Sequence, residues 1–155
     1  MTAAIEAKLA ELGLTLPEAA APVAAYVPAV EAGGLLHISG QLPFRDGQLM
    51  TGRLGDDRDL AFGQEAAQRC ALMLVSQIAK ALGSLDRVER VVKLGVFVNS
   101  ATGFTDQPKV ANGASELMVA LFGDAGRHAR SAVGVPALPL GAAVEVDAVI
   151  AVRAA

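Results

Sequence analysis

Arg130 and Glu145 are the charged side chains best placed to do chemistry. Both interrupt C-terminal runs that otherwise read as core: Arg130-Ser131-Ala132-Val133-Gly134-Val135 and Val144-Glu145-Val146-Asp147-Ala148-Val149-Ile150. A charge in such a run is costly unless it is paired, solvated or used. A planar guanidinium can hold a carboxylate through two parallel hydrogen bonds, and a nearby carboxylate can orient a water and draw a proton from it. The numbering suggests a register. Antiparallel partners have residue numbers of constant sum, and Arg130 with Glu145 shares its sum with Pro136 and Pro139. A turn at Pro136-Ala137-Leu138-Pro139 would therefore set the two charges opposite each other. The same pairing also reads as a purely structural cross-strand ion pair.

Other chemistry-bearing residues are few. His37 and His128 are the only histidines and Cys70 the only cysteine, too sparse a set for a typical metal cluster. Each histidine reads as structural, although His128 lies two residues before Arg130 and on a strand would share its face and could contact a ligand there. Ser39, Ser115 and Ser131 have no histidine base at a recognisable spacing, which argues against a serine nucleophile. Tyr26, the sole tyrosine, sits in a strand-like stretch and reads either as a core aromatic or as a site residue. Asn112 falls early in a helix, where capping, surface and ligand roles compete.

The elements that must position these residues follow from periodicity. Ile5, Leu9 and Leu12 mark an N-terminal helix ended by Gly13. Val23 to Glu31 and Leu35 to Ser39 read as strands joined by Ala32-Gly33-Gly34, and Asp46-Gly47 turns the chain into a further short strand. Asp57 or Asp59 caps a long helix to about Leu82, with Leu60, Ala67, Ala71, Leu74, Ile78 and Leu82 on its inner stripe. Gln64, Gln68, Arg69, Gln77 and Lys80 turn away, and Gly83 stops the helix. Val88 to Val98 is a central strand, apolar on both faces, with Val92, Leu94, Val96 and Val98 on one of them. Pro108 opens a second helix, with Val110, Ala114, Leu117, Met118, Leu121 and Phe122 inward, that ends at Gly123. Strands, helix, strand, helix, strands is the order of an α+β layer in which two helices cover one face of a sheet. The other face, around Leu94 and Val96, is left for a partner subunit.

Composition bounds the function. The 155 residues suit one domain spanning 1–155. A hydrophobic content of 53% against 19% charged residues points to a buried subunit interface. No apolar run reaches membrane-spanning length, and the N-terminus lacks the layout of a signal peptide, so a cytoplasmic protein is expected. The net charge of -3, with 13 scattered basic residues, offers no phosphate-binding stripe. No phosphate-cradling loop or dinucleotide fingerprint is present. Cys70, on the apolar face of the long helix, is expected to be an inert core thiol in a reducing compartment.

Taken in order, Tyr26 with Gly33, Ser39-Gly40-Gln41-Leu42-Pro43, Val96-Phe97-Val98, Asn112, Arg130-Ser131, Leu138-Pro139 and Val144-Glu145-Val146-Asp147-Ala148 resemble the RidA (YjgF) family of reactive-intermediate deaminases, also labelled endoribonuclease L-PSP. The resemblance implies a chorismate-mutase-like fold, assembled as a homotrimer with sites between subunits. It implies hydrolytic deamination of 2-imino or enamino acids to 2-keto acids and ammonia, without metal or cofactor. Arg130 would bind the substrate carboxylate and Glu145 would position water, while Tyr26 would come from a neighbouring subunit. Gly40 and Ala132 would offer backbone groups, and Ser39 and Asn112 would complete the substrate-binding set. Two departures stand out: Ala132 replaces a cysteine common in the family, and the span from Asn112 to Arg130, with Gly126 and His128, is longer. A non-catalytic trimeric binder of small carboxylates is the alternative, and an RNA-cleaving protein a third reading that the acidic balance opposes.

Overall fold

The computed structural model describes residues 2–22 and 24–155. Its longest element is helix α2, Leu60–Leu82, which follows Asp59 and ends at Gly83. Asp59 caps it by accepting a hydrogen bond from the Phe62 N–H, and Gly83 takes the left-handed conformation (φ 76°) that closes the C-terminus. A second helix, α3, Gln107–Phe122, has Pro108 in its first turn and gives way at Gly123. The short α1, Thr2–Glu11, adds Ile5 and Leu9 to the core.

A five-stranded mixed sheet lies beneath them in the order β1-β2-β7-β5-β6. Its strands are β1 Ala29–Ala32, β2 Leu35–Gln41, β5 Val88–Asn99, β6 Ala129–Val135 and β7 Val144–Val152. A separate small hairpin pairs β3, Phe44–Arg45, with β4, Gln48–Leu49. Both tight turns carry two consecutive positive φ angles, at Gly33-Gly34 and at Asp46-Gly47, which suit the right-handed twist of the flanking strands. The fold is α+β, with α2 and α3 packed on one face of the sheet.

The C-terminal register differs from the expected hairpin. β6 pairs with β5 in parallel (Leu94↔Arg130), whereas β7 pairs with the other side of β5 in antiparallel (Phe97↔Glu145). The crossover through α3 delivers β6 to the sheet edge, and residues 136–143 then carry the chain past the end of β5. Strand β7 takes the central position because it can bury both faces. Val144, Val146, Ala148 and Ile150 point into the helix layer, and the alternate residues are half covered.

Three further expectations are corrected. A bulge between Val91 and Lys93 shifts the alternation of β5, so Val91 joins Leu94, Val96 and Val98 under the helices while Val92 emerges on the open face. Leu94 and Val96 are therefore fully buried, and the uncovered apolar residues on the sheet are Val30, Val92 and Val133. Gln77 does not face solvent. Residues 14–22 cross α2, and the Gln77 amide donates to Ala20 O (2.8 Å) and Gln41 Oε1 (3.2 Å) beneath them. The strand expected over Val23 to Glu31 begins only at Ala29. Val23 lies outside the described residues, and Ala24 to Tyr26 form a bend.

Candidate functional site

The residues singled out in the sequence gather into two groups on opposite faces of the sheet. Arg130 shares a face with its partner Leu94 and turns toward α3, where its guanidinium is held by three acceptors. Nη1 donates to Asn112 Oδ1 (2.9 Å) and to Ser115 Oγ (3.1 Å), and Nη2 donates to Pro108 O (3.3 Å). Asn112 and Ser115, one turn apart on α3, thus fix the plane of the fork. Nε–H and one Nη2–H keep no acceptor among the described residues, and these two nitrogens form the side edge of a guanidinium that accepts a carboxylate bidentately. Ala132 lies two residues along on the same face, partly buried against the core.

A histidine completes this group. The ring Nδ1 of His128 lies 2.6 Å from Gly126 O and its Nε2 lies 2.9 Å from Ser115 Oγ. A carbonyl only accepts, so the proton of the neutral ring belongs on Nδ1, Nε2 accepts from the Ser115 hydroxyl, and Ser115 Oγ accepts from Arg130. Ser115 therefore does have a histidine partner, contrary to the sequence expectation. The link is spatial: the loop before β6 folds back onto the third turn of α3, which no fixed spacing announces. Arg127, His128 and Arg130 line a shallow depression of about 220 Å3 with Ser115 and Val119.

Glu145 points the other way. It shares its face with Phe97 and stands between two residues buried under the helices, Val144 and Val146. A side chain on Gly40 of the neighbouring strand would collide with its carboxyl group, so the glycine leaves the space that the carboxylate occupies. Gly40 lies within the irregular stretch of β2 between Ile38 and Gln41. Burial raises the Glu145 pKa above the ordinary carboxylate value, and the negative charge of Asp147 adds to the rise. Asp147 repeats the arrangement over Gly95, where a side chain would meet its carboxyl group. Its pKa is raised by burial, against the lowering influence of the Gly95 backbone N–H and Lys93. Sequence reasoning had not singled out Asp147 or Gly95. Their signal was the i, i+2 repeat of Glu145 and a glycine inside an apolar strand.

Ser39 and Tyr26 border the Glu145 group. The Ser39 hydroxyl donates to Val27 O (2.9 Å) and its N–H donates to Pro28 O (2.9 Å), tying the loop after Tyr26 to β2. Tyr26 is exposed there rather than set in a strand. One chain thus brings together Arg130, Asn112 and Ala132 on the helix side of the edge strand, and Glu145, Gly40 and Ser39 on the open side. It brings Arg130 and Glu145 into no ion pair. Among the described residues, no group of three or more His, Cys, Asp or Glu side chains could hold a metal ion, and no helix is long and apolar enough to cross a membrane.

The sequence and the backbone both match a known group of proteins. Residues 6–151 match the family described as "YjgF/chorismate_mutase-like, putative endoribonuclease", and the chain belongs to that family. It is 58% identical to Protein TCP17 of Trypanosoma cruzi, over 94% of this chain and 92% of that protein. It is 28% identical to a 2-iminobutanoate/2-iminopropanoate deaminase of Dermatophagoides farinae, over 90% and 95% of the two chains. Its backbone is similar to the crystal structure of Atu1372, a protein of unknown function from Agrobacterium tumefaciens, with a TM-score of 0.93 and 45% identity over 98% of this chain and 94% of that one.

Proposed function

We propose that this protein hydrolyses reactive 2-imino or enamino acids to 2-keto acids and ammonia. Its site is completed between subunits of a homotrimer, where the Arg130 group of one chain meets the Glu145 group of the next. The observation that carries the reading is the guanidinium of Arg130: three protein acceptors hold its plane, and its side edge is left for a ligand carboxylate. Division of the site into two half-sites on opposite faces supports the assembly. The exposed apolar residues of the open face, Val30, Val92 and Val133, supply surface to cover, and the exposed Tyr26 is within reach of a neighbour.

The chemistry follows from the two halves. Arg130 holds the substrate carboxylate and so places the adjacent imine carbon opposite Glu145. Glu145, made more basic by burial and by Asp147, takes a proton from water as the water oxygen bonds to that carbon, and passes it to the imine nitrogen to give the carbinolamine. Glu145 then takes the hydroxyl proton of the carbinolamine and delivers it to the amine nitrogen as the C–N bond breaks, giving ammonia and the keto acid. The deaminase named among the relatives supports this choice of substrate.

A second reading, capture of small carboxylates without turnover, draws on the same Arg130 clamp, because that half is complete within one chain. The test is release of ammonia when an amino-acid oxidase generates the imine in the same vessel. Acceleration by the wild type, lost in Arg130→Ala, supports hydrolysis, whereas carboxylate binding with no acceleration supports capture.

A further inference from the structure

A cavity lies away from both half-sites, between residues 13–20, the β3–β4 hairpin and the third and fourth turns of α2. Its volume is about 540 Å3, within the range of about 300–1,000 Å3 typical of small-molecule pockets. Arg69 enters it from α2. The Nε of Arg69 is buried and makes no hydrogen bond, and no other nitrogen of this side chain has a hydrogen bond or ion pair among the described residues. The carboxylate one turn earlier on the same helix, Glu65, is engaged instead by Arg45 Nη1 at 2.9 Å. With its Nε shut away from solvent, the terminal nitrogens of Arg69, which also lack acceptors among the described residues, are the donors that an acceptor in the cavity can reach.

The rest of the lining narrows the chemistry. Leu16, Leu72 and Met73 give an apolar wall, and the exposed carboxylates of Glu18 and Asp46 add negative charge to the lining. A simple anion would meet Arg69 favourably and be repelled by the two acids. A zwitterion satisfies all three, with its carboxylate on the guanidinium, its ammonium toward the acids and its apolar body on the wall. We propose that this cavity binds a free α-amino acid with an apolar side chain, through Arg69. This site is separate from the Arg130 and Glu145 groups, none of which lines it.

The experiment is a titration of the full-length protein with L-leucine, followed by NMR at the Met73 methyl and the Arg69 Nε–H. The controls are leucinamide, which lacks the carboxylate, and 4-methylpentanoate, which lacks the ammonium. Leucine is expected to shift both signals saturably, with either control and the Arg69→Gln variant weaker by at least about tenfold. Arg130→Ala should leave the titration unchanged, which separates this site from the proposed catalytic one. Absence of shifts at tens of millimolar leucine would overturn the proposal, as would equal binding by 4-methylpentanoate or by Arg69→Gln. If Arg69→Gln does not fold, the Arg69 Nε–H signal of the wild type decides: it must move on adding leucine and stay in place with leucinamide.

Discussion

Replacing Arg130 with alanine separates a clamp from a strut. Were Arg130 paired with Glu145 in the core, its loss would strand a buried carboxylate and cost about 3 to 5 kcal/mol. Its acceptors are instead Asn112 Oδ1, Ser115 Oγ and Pro108 O, all neutral and at most partly buried, so water can replace the guanidinium. A net cost of about 1 to 2 kcal/mol follows, and with about 2–4 °C per kcal/mol at this chain length the melting temperature should fall by about 2 to 8 °C. Substrate binding loses more. Two charged hydrogen bonds to a carboxylate, at about 1.5 to 3 kcal/mol each, give a loss of at least about 3 kcal/mol, or about 150-fold in kcat/KM. Arg130→Lys keeps the charge but not the planar fork and should fall between the two. Calorimetry and oxidase-coupled ammonia release measure the two effects. A folded Arg130→Ala protein with undiminished deaminase activity would refute the clamp, and a fall in melting temperature beyond about 10 °C would point to the strut.

Glu145→Gln should bind carboxylates normally but lose turnover. It should also change the pH dependence of stability. A carboxyl whose pKa is raised on folding contributes stability below its unfolded value, near 4.3, and loses it as pH rises through the raised folded value. The variant should therefore gain on the wild type as pH increases across that window, and denaturant titrations from pH 4 upward that show no such divergence would contradict the burial of Glu145. Cys70 is fully buried and its thiol pKa is raised by burial, so native alkylation should be slow and activity should survive it; stoichiometric inactivation by a small reagent would be the contrary result. Light scattering at micromolar concentration should give the mass of a trimer, and a monomer would remove the basis for a shared site.

The helices were legible in the sequence because each carries its own punctuation. Asp59 and Gly83 bound α2, and Pro108 and Gly123 bound α3, so local chemistry alone places them. The Gly33-Gly34 hairpin was legible for the same reason. Strand order was not. Equal number sums at Arg130 and Glu145 are a necessary condition for a hairpin but not a sufficient one, and the insertion of β5 between β6 and β7 depends on a crossover through α3 that leaves no mark on either strand. The bulge at Val91 to Lys93 was harder to read, because Val91 and Val92 are adjacent and chemically alike, so either could take the buried position. Ser115 and His128 meet only through the folding back of a loop, and Gln77 is buried only because residues 14–22 lie over it.

The placement of Arg130 and Glu145 on opposite faces gives the site a genetics of its own. If each site draws its arginine from one chain and its glutamate from the next, an Arg130→Ala population and a Glu145→Gln population are each inactive, yet they are defective in different halves. Dissociating and reassembling the two together at equal amounts would rebuild intact sites at about a quarter of the interfaces by random assortment, within a mixture in which no chain is wild type. In trimers shared with wild-type chains, by contrast, either variant disables one site per altered subunit, so activity should fall only in proportion to its share of the chains.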